Sequence, residues 1–409
     1  MSNVPKLRFK DDNGEDYPEW VITTLSNMFT IKAAGDLNKA YFAKNLDNEH
    51  PFPVYANSIV NKGLYGYYKM PTYKRNKLTV TARGELGYAS AKDHDFTAVG
   101  RLLVLDPKPE TNIFFFEQLI NGKLKIFNEV TGVPQLTAPS LGTYNVSKPT
   151  LPEQTKIADF FTLIDKKIIR QDEKVTALEE YKKGLMQKIF SREIRFKDDT
   201  GKDYPEWDIK LFGDIFSFYP TYSYSRAMLN MNAGTIKYIH YGDIHTKYPI
   251  TLDVQNTQIP RLNNTIPSKA ISSSSYCKEG DLIIADASED YEAIGKATVL
   301  RNVGNDRIIS GLHTILARDE QNLIEHSFRG YLFASEGVKK QIRFSSVGAK
   351  VLGISKTNLS KINIHLPTIP EQTKVATFLT LFDRKIEKEK EKLGALQEQK
   401  KGLLQQMFV

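Results

Sequence analysis

Two segments of this chain are written twice, and that repetition narrows the folds open to it more than any other feature. RFKDDNGEDYPEW at 8 to 20 returns as RFKDDTGKDYPEW at 195 to 207, with 11 of 13 positions identical. LPEQTKIADFFTLIDKKIIRQDEKVTALEEYKKGLMQKIF at 151 to 190 returns as IPEQTKVATFLTLFDRKIEKEKEKLGALQEQKKGLLQQMF at 369 to 408, with 23 of 40 identical. The first pair is offset by 187 residues and the second by 218, so the stretch between the repeats is 31 residues longer in the second copy. Inside those stretches, at 30 to 150 and 217 to 368, no alignment of the two copies holds. Shared frames around divergent contents describe a pseudo-dimer whose variable parts are free to do different jobs.

The long repeats read as helices. Thr150 with Glu153 and Thr368 with Glu371 have the spacing of a capping box, and Pro152 and Pro370 fall in the first turn, where no amide donor is missed. Apolar residues then recur in steps of four and three, at Ile157, Phe161, Ile164, Ile168, Val175, Leu178, Leu185 and Ile189. The second copy answers with Val375, Leu379, Phe382, Ile386, Leu393, Leu396, Leu403 and Met407, a heptad seam in both. Gln171 and Lys182 interrupt the first seam, Glu389 and Lys400 the second, as polar residues that set register do. Helices of ~40 residues span ~60 Å, more than a small domain's core requires, so they are spacers. The economical arrangement packs them antiparallel. Gly184 and Gly402 would allow a close approach or a bend.

The variable stretches have a different texture. FPVYANSIV, KLTVTARG and GRLLVLD in the first, and TIKYIHYGDI, GDLIIADAS and KATVLRN in the second, are short, β-branched and punctuated by glycine, as strands are. The expected fold is α+β, with two mixed α/β domains joined by two long antiparallel coiled-coil helices in a pseudo-twofold repeat. The net charge is +8, and residues 30 to 150 carry +5 of it and 217 to 368 +4, while the segments 1 to 29 and 191 to 216 are each −2. Excess positive charge therefore sits in the variable domains, where a phosphate-binding surface would be needed. Loops there supply the donors and stacking faces that nucleic-acid readers use. Candidate contacts are Tyr55, Asn57, Lys69, Lys74, Arg75, Lys77 and Arg83 in the first domain and Tyr222, Tyr224, Arg226, His240, Lys247 and Lys350 in the second. Arg83 in ARGELG and Lys350 in SVGAK stand beside glycines that let backbone approach a ligand.

Catalytic tools are missing. There is no N/D-P-P-Y/F/W tetrapeptide of the kind that grips a flipped base, DPKP at 106 to 109 not matching it, and no G-x-x-x-x-G-K-S/T phosphate loop. His240 and His245 lack a supporting ligand motif, and Cys277 is the only cysteine, so neither a metal site nor an internal disulfide is expected. DDNGEDYPE reads as a solvated turn and not as a nuclease site. No apolar stretch approaches the ~20 residues of a membrane helix, and the polar start MSNVPKLRFK does not resemble a signal peptide, so the expected place is the cytoplasm.

Together, these residues resemble the specificity subunits of bacterial type I restriction-modification systems. LPEQTKIADF and IPEQTKVATF match that family's entry into each long helix, and GISKTNLSKINIHLPTIPEQ matches the run leading into the second. PVYANSIVNKGLYGYY with TARGELG, and YIHYGDI with EGDLIIADAS, look like two of its recognition-domain types. The resemblance implies target-recognition domains at 1 to 150 and 191 to 368 and spacer helices at 151 to 190 and 369 to 409. Each domain would read one half of a split, asymmetric site in double-stranded DNA, with the helices as a ruler between halves. It further implies two modification subunits that bring S-adenosylmethionine and methylate adenine, and restriction subunits that bring ATP and Mg for translocation and cleavage in phage defence. This chain itself would carry no catalytic residue, cofactor or metal. The rival readings are a stand-alone DNA-binding regulator and a nuclease or methyltransferase with an unfamiliar site.

Overall fold

The computed structural model describes residues 4–124, 126, 135–263 and 271–409. Four helices organise it: α1 (Ile113–Lys123), α2 (Leu151–Phe190), α3 (His326–Ala334) and α4 (Ile369–Met407). The chain divides into two units, one of residues 1–174 with 389–409 and one of residues 175–388. Each holds one variable domain and one end of each long helix. Among the described residues no helix is long and apolar enough to cross a membrane.

In the first unit a four-stranded antiparallel sheet runs in the order Phe29–Ala33, Leu103–Pro107, Lys77–Val80, Ala89–Lys92. Alternation along its strands buries both faces. Leu78, Val80, Leu103 and Leu105 meet Phe115, Phe116 and Leu119 of α1, while Val104 meets Tyr55, Phe96 and Ala98 on the other side. A second sheet runs Phe42–Ala43, Leu64–Tyr68, Phe52–Tyr55, Thr97–Ala98, with its last pair parallel. Asn112 starts α1 by accepting from the amides of Phe114 and Phe115 at 3.0 and 3.2 Å.

The second unit repeats this plan. Ser217–Tyr219, Thr314–Arg318, Leu282–Ala285 and Ala297–Arg301 form the large antiparallel sheet, to which Thr251–Asp253 adds a parallel edge. Leu229–Asn230, Arg261–Leu262, Ile236–Ile239 and Arg307–Ser310 form the small one, again with a parallel last pair. Glu325 caps α3 by accepting from the Phe328 amide at 2.7 Å. Two stretches that do not align as sequences therefore share strand order and strand sense. The edge strand Thr251–Asp253 and the helix Glu336–Ser345 have no counterpart among the described residues of the first unit. Divergence has reached the loops and insertions and spared the topology.

The repeated segments hold each domain to its helix end. Glu153 and Glu371 were expected to close capping boxes; their buried carboxylates are instead taken by arginines of the short repeat. Arg8 Nε and Nη2 donate to Glu153 at 2.9 and 2.7 Å, and Arg195 Nε and Nη2 donate to Glu371 at 3.3 and 3.0 Å. The next residue ties the helix to its domain through backbone groups alone. Gln154 donates to the carbonyls of Pro149 and Glu110 at 3.0 and 3.2 Å and accepts from the Asn112 amide at 3.0 Å. Gln372 does the same with Pro367 and Leu323 at 2.9 and 3.0 Å and the Glu325 amide at 2.7 Å. Phe9 against Phe160 and Phe196 against Phe378, each at 5.4 Å edge to face, complete the match. The acidic turns are not merely solvated. Asp11 accepts the Glu15 and Asn13 amides, and Asp198 accepts the Thr200 hydroxyl and the Lys202 and Thr200 amides, which holds both carboxyls below the usual range. Lys156 and Lys374 then dock those turns on the helices through Asp12 and Asp199, each at 2.6 Å.

Glu153 is fully buried, so losing its guanidinium partner strands a charge without water. Arg8→Ala is expected to cost about 3–5 kcal/mol of stability, and replacing both partners by apolar residues of similar volume to recover much of it. Urea denaturation of the full chain measures both. A midpoint unchanged by Arg8→Ala would show that the pair does not hold the segment.

Within each unit the long helices run antiparallel. In the first, Phe161 meets Phe408 at 5.9 Å, Lys400 donates to Asp165 at 2.6 Å and Gln171 donates to Glu389 at 2.7 Å, so α4 descends as α2 ascends. In the second, Tyr181 meets Phe382 at 5.8 Å and Ile189 shares a core with Val375 and Leu379. Every apolar seam position named above is buried or half-buried. The polar interruptions satisfy one another. Lys182 pairs with Asp383 and Lys400 with Asp165, which is the same pair with the copies exchanged. Glu389 accepts from Gln171, Lys392 and Lys174, and its carboxyl is held down to about 2. Gly184 and Gly402 serve no close approach, since a Cβ at either would meet nothing within 4 Å.

Candidate nucleic-acid interface

Strand ends in the first unit gather three loops, at residues 56–63, 81–88 and 99–102. Asn57 pins all three, its Oδ1 accepting from the Ala82 amide at 2.7 Å and its Nδ2 donating to the Gly100 carbonyl at 2.6 Å. That is a positioning task, and it consumes the polar groups expected to contact a ligand. Arg83 is exposed on the second loop, where its Nη2 donates to Gln135 at 3.1 Å.

The corresponding loops of the second unit are 240–247, 286–296 and 311–313. His240 Nδ1 accepts from the Gly242 amide at 3.0 Å and starts the short helix Tyr241–Thr246. Burial and then Arg226 lower its pKa, which favours neutral imidazole. Asp243, fully buried, receives Arg226 Nη1 at 3.0 Å and Lys247 Nζ at 3.2 Å, so half of Arg226 and most of Lys247 stay exposed above a fixed anion. His245 Nε2 lies 3.0 Å from the Ala287 carbonyl and joins the first loop to the second. Lys350 is exposed on a hairpin whose returning strand, Leu352–Gly353, pairs with Ala287–Ser288.

The structure thus brings together Asn57 and Arg83 in one cluster, and Arg226, His240, Lys247 and Lys350 in the other. The remaining candidates lie elsewhere. Tyr55, expected on the surface, is buried: its hydroxyl bonds His94 Nε2 at 2.9 Å, Lys92 Nζ lies 3.5 Å from its ring centre, and burial pushes the phenol up to about 12. Lys69, Lys74 and Arg75 occupy the connection between the two sheets, and Lys77 opens the strand that follows it. Lys69 is paired with Glu49 at 3.1 Å, Lys74 with Asp95 at 2.9 Å and the half-buried Lys77 with Asp106 at 2.8 Å, and the Arg75 amide donates to Asp95 at 2.9 Å. Tyr222 and Tyr224 stack at 6.3 Å and 6° and are half-buried against the small sheet. Sequence reasoning passed over the third loop of each cluster, which carries Arg101 and His313; no motif marks either residue.

Each cluster offers exposed cationic or imidazole groups on a rigid sheet platform, an arrangement suited to phosphates and base edges. The family model for the type I restriction modification DNA specificity domain matches residues 17–180 and 204–398. A Mycoplasma pneumoniae protein assigned as a type I specificity subunit is 28% identical over 152 residues, which is 37% of this chain and 41% of that protein's length. The MjaVIII specificity subunit of a type I restriction enzyme from Methanocaldococcus jannaschii is 22% identical over 304 residues, 71% of this chain and 68% of that one. In fold, the chain is similar to the crystal structure of a type I restriction-modification S subunit from M. genitalium, with a TM-score of 0.58 over 99% of both chains at 15% identity.

Proposed function

Because this chain belongs to the family of type I restriction-modification DNA specificity proteins, we propose that it is the DNA-reading, non-catalytic subunit of such a system in the cytoplasm. Each domain reads one half of a bipartite, asymmetric double-stranded site, and the paired helices set the distance between the halves. Two modification subunits supply S-adenosylmethionine and methylate adenine, and restriction subunits supply ATP- and Mg-dependent translocation and cleavage. The observation that carries the reading is one topology used twice with different loop clusters. A repeated scaffold gives two similar approaches to the duplex, and unlike side chains on it, Arg83 against Arg226, Lys247 and Lys350, give two different half-sites.

Mapping methylated adenine across the genome of a strain with and without this gene tests it. A split, non-palindromic motif is expected to lose its methylation in the deletion strain, and the purified chain with S-adenosylmethionine alone is expected to transfer no methyl group. Methylation by the purified chain, or a motif unaffected by the deletion, would sink the proposal.

A further inference from the structure

The third loop of each cluster holds a residue in a backbone region that side chains rarely enter. Arg101 has φ +68° and His313 has φ +52°. They occupy the same place in the two domains. Two residues earlier, the Val99 amide donates to the Tyr55 carbonyl and the Gly311 amide to the Ile239 carbonyl, each at 2.9 Å. Shortly after, the chain enters Leu103–Pro107 in one domain and Thr314–Arg318 in the other.

Topology explains the turn, as it does for Glu110 and Asn322, which are left-handed just ahead of α1 and α3. It does not explain the side chain. Glycine takes this conformation without strain, yet here stand an arginine and a histidine, both exposed. His313 is oriented from behind: its Nδ1 lies 3.4 Å from Asp286 Oδ1, and its ring meets Tyr241 edge to face at 5.4 Å. With Nδ1 directed to a carboxylate, Nε2 remains as the group available to a ligand. Arg101 follows Gly100, whose carbonyl is fixed by Asn57, and its guanidinium meets no partner among the described residues. Arg101 presents a donor and His313 an acceptor, each held on a braced loop beside the candidates of its own cluster.

We propose that Arg101 and His313 are specificity-determining residues, one for each half-site. Arg101 donates to the paired acceptors O6 and N7 of a guanine, and His313 Nε2, the acceptor nitrogen of the tautomer whose Nδ1–H faces Asp286, accepts from the exocyclic amino group of an adenine or cytosine. This rests on the DNA-reading role above and names the side chains that perform it.

Glycine is the substitution that removes the side chain and keeps the turn. Arg101→Gly and His313→Gly, each replacing the gene in the mapped strain, are expected to melt no lower than the parent chain. Each is also expected to lose about tenfold or more of the discrimination at one position of one half-site, with the other half unchanged and the two variants affecting opposite halves. Arg101→Lys, which cannot make the bidentate contact, should lose part of that discrimination. Unchanged motifs in both glycine variants would overturn the proposal. So would a uniform weakening with no base relaxed, the mark of a phosphate contact. A parent chain that directs no site-specific methylation would sink the DNA-reading role itself, and this proposal with it.

Discussion

Replacing residues 30 to 150 by the matching stretch of another member of the family is expected to change one half of the methylated motif and leave the other half as it was. The way the domains are held makes the exchange feasible. Gln154 grips the first domain through the Glu110 carbonyl and the Asn112 amide, and Gln372 grips the second through the Leu323 carbonyl and the Glu325 amide. Backbone groups are the same in any sequence, so an incoming domain of this topology presents the same grips. Arg8 and Glu153, which lock the leading segment to the helix, lie outside the exchanged stretch. Each wrong base costs about 1–3 kcal/mol, so two changed positions shift the preferred half-site by roughly a hundredfold. Methylome mapping of the exchanged strain reads the result. If both halves changed together, the two domains would not be independent readers.

The second large effect concerns spacing. One heptad added to α2 after Val175 and one to α4 after Ile386 keeps the apolar register, because a period of seven returns every seam residue to its face. An insertion in one helix alone shifts it past its partner and separates Lys182 from Asp383 or Lys400 from Asp165, so it is expected to destabilise the pair. The matched insertion lengthens the helix pair by ~10 Å, about 3 base pairs of duplex at ~3.4 Å each, part of which DNA twist or bending can absorb. The half-site sequences should persist while the unread gap between them grows. A folded, active double insertion that methylates sites with the original gap would show that the helices do not set the distance.

What could be read without a structure was local in sequence. The helix starts at PEQ, the seam from Ile157 to Ile189 and its echo from Val375 to Met407, and strands such as Phe52–Tyr55, Lys77–Val80 and Ala297–Arg301 all depend on residues within a turn or two of one another. Of the candidate contacts, Asn57, Arg83, Arg226, His240, Lys247 and Lys350 fell in the loop clusters because polar, glycine-flanked segments after strands become loops at sheet ends. Nothing near Tyr55 in sequence reveals that Lys92 and His94 will enclose it, and nothing near Arg101 or His313 reveals a left-handed turn.

By itself, then, the sequence determined a duplicated chain with two long amphipathic helices and two basic α/β domains, since periodicity, caps and charge are properties of neighbouring residues. Only the tertiary structure decided that the two unalignable stretches are one topology, because a sheet asks for apolar residues at alternate positions and accepts many sequences that supply them. Only the tertiary structure gave Glu153 to Arg8, 145 residues away, and crossed Lys182 and Lys400 onto the aspartates of the opposite copy. Such pairs lie far apart along the chain, and a buried charge takes whatever partner the packing of whole elements brings within reach.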